Sequence, residues 1–88
     1  MNTIVLKLYV TGQTGRSEVA LASMREMCER VLEGESELIV IDVLKEPHLA
    51  EKDGILATPT LVKVAPPPPC RVIGDLSAIP KVRARLGI

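Results

Sequence analysis

Eighty-eight residues with 11 basic against 11 acidic side chains suit one small core and carry no net charge to gather a polyanion. Tyr9 is the only aromatic residue, which argues against base stacking, so nucleic acid is not expected as a partner. The core must come from Val, Ile, Leu, Ala and Met, and no apolar run approaches the ~20 residues that span a bilayer, so no membrane segment is expected.

Residues 4–10, Ile-Val-Leu-Lys-Leu-Tyr-Val, are apolar on both parities apart from one lysine, which predicts a strand covered on both faces and central in its sheet. No secretory leader precedes it, and the two cysteines, Cys28 and Cys70, lie far apart, which predicts a cytosolic (cytoplasmic) protein. Residues 11–17 are turn formers. From Glu18 onward, Leu21, Met24, Cys28 and Val31 recur at steps of three and four, predicting an amphipathic helix with that stripe inward. Gly34 stands where a left-handed backbone would end it. Residues 37–43 form a second apolar strand, and a crossover of helical length predicts that it runs parallel to the first.

Residues 45–54 predict a short helix with Pro47 in its first turn and Gly54 as its stop. Thr60 to Val64 and Arg71 to Ile73 are rich in β-branched residues and flank four consecutive prolines, Pro66 to Pro69. Fixed φ and missing donors predict a polyproline-like bridge between two antiparallel strands. Every X-Pro bond there can be cis or trans, so the region is a natural place for alternative backbone arrangements. Gly74 to Ser77 open a terminal helix capped by Asp75 or Ser77, with Pro80 in its first turn. Val82 and Leu86 ride along it, and Lys81, Arg83 and Arg85 suit its negative end.

The order strand, helix, strand, helix, strand, strand, helix over residues 1–88 is that of a single α/β domain of the thioredoxin-like βαβαββα type. Thr58-Pro59-Thr60 falls where that architecture commonly places a cis proline. A thioredoxin-like oxidoreductase needs a thiol at the start of the first helix, where the dipole lowers its pKa. Here that loop reads Thr-Gly-Gln-Thr-Gly-Arg-Ser and holds none. Cys28 reads as a small buried apolar residue, and Cys70 lacks a cationic helix end apart from Arg71. His48 has no second ligand at metal spacing, and Asp42 is a lone carboxylate at a strand end, able to pair locally or to cap the next segment. Gly12-Gln-Thr-Gly15 lacks the spacing and lysine of a phosphate loop. No catalytic group, metal or cofactor is expected, which leaves binding as the default.

Four stretches carry a family pattern in order and at the right intervals. They are Val-Leu-Lys-Leu-Tyr-Val-Thr-Gly at 5–12, Val-Ile-Asp-Val-Leu-Lys-Glu-Pro at 40–47, and Ile-Leu-Ala-Thr-Pro-Thr-Leu-Val-Lys-Val-Ala-Pro-Pro-Pro at 55–68 followed by Val-Ile-Gly-Asp-Leu-Ser at 72–77. Over almost the whole chain this resembles the KaiB family of circadian clock proteins. The resemblance implies a non-enzymatic protein that docks on the KaiC ATPase ring and helps sequester KaiA, regulating KaiC phosphorylation. It also implies competition with the clock-output histidine kinase, whose sensory domain is similar.

Members of the family are metamorphic. A tetramer-forming ground state arranged βαββααβ exchanges with a thioredoxin-like, binding-competent monomer, and a partner that selects a sparse state binds with correspondingly reduced affinity. Ile4 stands where members often have a tyrosine, and the chain stops at Ile88, short of the family's C-terminal extension. The expectation is a monomer resting in the thioredoxin-like form. By resemblance, partner contacts are assigned to Ala50, Glu51, Lys52, Asp53 and Gly54, with Leu44 and Lys45 leading in. The family commonly has lysine at the place of Gly54. Lys7, Lys63 and Arg71 are further candidates for charge contacts, and Pro59, Pro67 and Pro68 are assigned to the switch, with Pro59 as the cis bond. The competing readings are a thiol-dependent oxidoreductase of the same fold, a stress or signalling paralogue without a clock role, and a domain descended from a kinase sensor.

Overall fold

In the computed structural model, which describes residues 3–12 and 14–88, strand β1 (Ile4–Val10) runs through the interior of a four-stranded sheet. It is flanked by β2 (Ser36–Asp42) and β3 (Thr60–Ala65), and β4 (Cys70–Ile73) closes the order β2-β1-β3-β4. β1 and β2 are parallel from Ile4 opposite Ser36 to Val10 opposite Asp42, and α1 (Gly15–Glu26) makes the crossover. The other two pairings are antiparallel, with Leu8 opposite Leu61 and Leu61 opposite Val72. Two further helices, α2 (Pro47–Lys52) and α3 (Ile79–Leu86), complete the expected order.

Local chemistry explains most of the boundaries. The Thr14 hydroxyl accepts from the Ser17 amide and caps α1. The helix ends in a π-helical turn, Met27–Val31, and the chain then leaves through two left-handed residues, Glu33 and Gly34, with the Gly34 amide reaching back to the Cys28 carbonyl. The centre of the buried stripe differs from the expectation. Ser17, Ala20, Met24 and Met27 are fully inside, whereas Leu21, Cys28 and Val31 are half-buried beside them. The inward stripe is thus rotated from the expected one, with Met24 common to both and the smaller Ser17 and Ala20 inside in place of Leu21.

α3 also differs. It begins at Ile79, after Ala78, with no side-chain cap. Asp75 instead accepts from the amide and hydroxyl of Ser77, forming a local turn before the helix. The hydroxyl contact and then the amide hold the Asp75 carboxyl below its usual pKa range. The proline segment is a reversal and not an extended bridge, because Lys63 lies opposite Cys70 and the chain must turn back within residues 64–69. The bonds before Pro59, Pro66 and Pro68 are cis. Pro59 is thus cis as expected, and the bond before Pro67 is not among the cis bonds.

Two core regions lie on opposite faces of the sheet. Leu6, Leu8, Val10, Leu61 and Val72 face α1 and α3 and pack with Ala20, Met24, Met27, Leu76, Val82 and Leu86. On the other face Tyr9, Ile41 and Val62 pack with Ala50 of α2, with Ile39, Val43, Leu49 and Ile55 around them. At about 1.5–3 kcal/mol for each large side chain removed from water, the α1/α3 face supplies most of the driving force.

Candidate interaction site at the end of α2

Tyr9, Lys7, Asp53, Gly54 and Arg71 meet at the C-terminal end of α2. Parity sends Lys7 and Tyr9 of β1 to the α2 side, and the register places Val62 opposite Lys7 and Arg71 opposite Val62, so that Lys7 and Arg71 share one row across three strands. Asp53 follows the last residue of α2, and Gly54 turns the chain away with φ +65°, a left-handed conformation that suits glycine.

The Tyr9 hydroxyl, fully enclosed, donates to Asp53 Oδ2, and Lys7 Nζ lies 3.4 Å from the same oxygen. The Arg71 guanidinium donates to the Asp53 carbonyl and, at 3.2 Å, to the Gly54 carbonyl. Strands β1 and β4 are thereby tied to the turn that ends α2. Burial, then the hydrogen bond to Asp53 and its charge, push the Tyr9 phenol up to about 12, while nearby Arg71 pulls the other way. The Tyr9 hydrogen bond, followed by Lys7 and Arg71, holds the Asp53 carboxyl below the usual range against some desolvation.

Of the residues assigned from sequence, the structure brings Lys7, Asp53, Gly54 and Arg71 together, with Glu51 and Lys52 exposed on the adjoining helix and Leu44 and Lys45 exposed ahead of it. Two assignments fall elsewhere. Ala50 is buried against the sheet, so its place is in the core beneath the exposed side of α2. Lys63 is 8% exposed and turned to the opposite face, where its Nζ donates at 3.1 Å to the Leu86 carbonyl. It serves the negative end of α3 and offers no charge to this surface. Tyr9 was missed as a member of the site. Its signal was visible, since a lone tyrosine in an otherwise aliphatic strand requires a partner for its hydroxyl.

The neighbouring pole of the sheet is fixed by Asp42, whose Oδ1 accepts from the amides of Gly12 at 3.1 Å and Leu44 at 2.9 Å. The Leu44 amide and then the Gly12 amide lower its pKa. The lone carboxylate is thus a cap joining two loops. Cys28 and Cys70 are unpaired thiols, both partly buried at the edge of the α1/α3 core, and neither stands at the start of α1. His48 is exposed, with Nε2 3.5 Å from Glu46. Among the described residues no helix is long and apolar enough to cross a membrane.

A family model described as the KaiB domain matches residues 7–88. The circadian clock oscillator protein KaiB of Prochlorococcus marinus strain MIT 9312 is 58% identical over 80 residues, covering 91% of this chain and 76% of that protein. Among solved structures, mitochondrial thioredoxin 3 of Saccharomyces cerevisiae is similar with a TM-score of 0.78 at 13% identity, covering 100% of this chain and 81% of its own. The N-terminal domain of Synechococcus elongatus SasA is similar at a TM-score of 0.69 and 22% identity, covering 99% and 86%. At such identities the two structures carry the fold, which is thioredoxin-like.

Proposed function

This chain belongs to the KaiB family, and we propose that it works in a circadian clock as a docking protein that binds a KaiC-type ATPase and helps sequester KaiA. Relatives named as clock oscillator proteins support the clock role. The observation that carries the docking reading is the thioredoxin-like arrangement itself. In the family resemblance it is the binding-competent form, and here it holds Glu51, Lys52 and Gly54 outward on a turn braced from beneath by Tyr9 and Arg71. The absence of a thiol from the start of α1 favours binding over redox chemistry. The chain rests in this form as a monomer, with the βαββααβ arrangement as its alternative, and competes with the sensory domain of a clock-output kinase for the ring.

A pull-down against the KaiC-type ATPase of the same organism, with nucleotide varied, tests the reading. Retention that depends on nucleotide is expected, and it persists in a Cys28→Ser/Cys70→Ser double variant. Absence of binding in every nucleotide state contradicts the docking reading, and loss of function on thiol removal favours an oxidoreductase. For the resting fold, NMR strand pairing should place residues 70–73 beside residues 60–63; a helix over 70–73 contradicts it.

A further inference from the structure

The α2 side of the sheet is only half covered. A helix is about 10 Å across and strands are spaced about 4.8 Å apart, so one helix shields roughly two strands of four. Leu49 and Ala50 of α2 lie over Ile39, Ile41, Tyr9 and Val62. Beyond them, over β3 and β4, runs a groove of about 450 Å³ lined by Lys7, Asp53, Val62, Val64, Pro69 and Arg71 among others. Its floor is apolar where it meets solvent, at Val64, which is 42% exposed; Ile73, on the same face of β4 but outside the groove, is 61% exposed.

The charge at its rim is one-sided. Lys7 and Arg71 are two cations against the single carboxylate of Asp53, and that carboxylate is already engaged by the Tyr9 hydroxyl and Lys7. Arg71 directs its donors to two neutral carbonyls and shares the one carboxylate of Asp53 with Lys7, so the rim keeps a net positive charge. A segment entering the groove meets valine below and an excess positive charge at the side.

We propose that this β3–β4 groove receives a partner segment that combines an apolar side chain with an acidic one, the apolar group on Val62 and Val64 and the carboxylate facing Lys7 and Arg71. The inference rests on the docking reading and names the chemistry of the segment that the KaiC-type ATPase inserts. The groove adjoins the turn at Asp53 and Gly54, so one contact surface runs from the exposed side of α2 onto the bare sheet.

Val64 separates the possibilities because it is exposed and lies outside the hydrogen-bonded network. Val64→Asp and Val64→Lys both replace the methyl groups with a charge, and circular dichroism establishes that each still folds. With the purified ATPase as probe, Val64→Asp should weaken binding at least about tenfold, through like-charge repulsion and a lost apolar contact. Val64→Lys should weaken it no more than about threefold, with binding falling as salt is raised. Equal losses in both variants overturn the acidic occupant, and no loss in either overturns the groove as a contact. If Lys52→Glu abolishes binding while both Val64 variants bind as wild type does, docking stands and the groove fails. If the unmodified chain binds no ATPase, both fall.

Discussion

Against one side of the sheet α1 and α3 pack together and enclose Leu6, Leu8, Val10, Leu61 and Val72; against the other the short α2 encloses Tyr9, Ile41 and Val62 and leaves Val64 and Ile73 in solvent. The first side is held by aliphatic contact over many residues, and its one buried cation, Lys63, is taken up by the end of α3. The second is held by a small apolar cluster and by one polar network centred on Asp53. Aliphatic contacts are therefore concentrated on one face, and the polar network with its partly exposed rim on the other. A surface that must meet a partner cannot also be fully covered by the chain's own helices.

Removing a large side chain from the helix-covered face should have the biggest effect. Leu8→Ala is expected to cost about 2–5 kcal/mol, read as a fall in the midpoint of denaturant unfolding, because the fully enclosed site leaves a cavity. A cost below about 1 kcal/mol would mean that this face is not the main source of stability.

Tyr9→Phe probes the other face. It removes a buried hydroxyl and deprives Asp53 of a donor, at an expected cost of about 1–2 kcal/mol. The pH dependence has a defined sign. Tyr9 has a folded pKa of about 12, above its unfolded value near 10, so its contribution is full below about pH 10 and is lost as pH rises through about 12. Asp53 is depressed, so its contribution is present above the ordinary carboxylate pKa near 4 and is lost as pH falls through the lower folded value. Unfolding measured across pH should lose the alkaline decline due to Tyr9 in Tyr9→Phe; an unchanged alkaline limb would remove Tyr9 from the network.

Gly54→Ala introduces a side chain at φ +65° and should cost about 1 kcal/mol, measured by thermal unfolding. The nearest atom to an added Cβ, Arg71 Nη1, is 4.0 Å away, so the cost is one of backbone and not of collision. Smaller still is Arg71→Ala. It frees the carbonyls of Asp53 and Gly54 without opening the core, and hydrogen exchange at Gly54 and Ile55 should rise several-fold while exchange in α1 stays unchanged.

Strand and helix order was legible in the sequence because period-two and helical apolar patterns are local properties of the chain. β1 begins and ends where the sequence places it, and Pro47 starts α2 as its fixed φ requires. The features left unread depend on which way a side chain points once the sheet assembles. Lys63 reads as a polar strand position, yet its side chain lies on the face that α1 and α3 cover, and its Nζ finds its acceptor at the far end of the chain. Asp75 has the chemistry of a helix cap, but Ser77 lies close enough to take its hydrogen bonds first. At the candidate site the turn, Lys7 and Arg71 were each visible separately. Their meeting at Asp53 required the register of three strands.

Hydrogen–deuterium exchange of the chain free and bound to the KaiC-type ATPase tests the division between the faces most directly. The account predicts slowed exchange along the exposed side of α2, the turn at residues 53–55 and strands β3 and β4, with α1 and α3 unchanged. Protection confined to α1 and α3, or none at all in a complex shown to form, would contradict it.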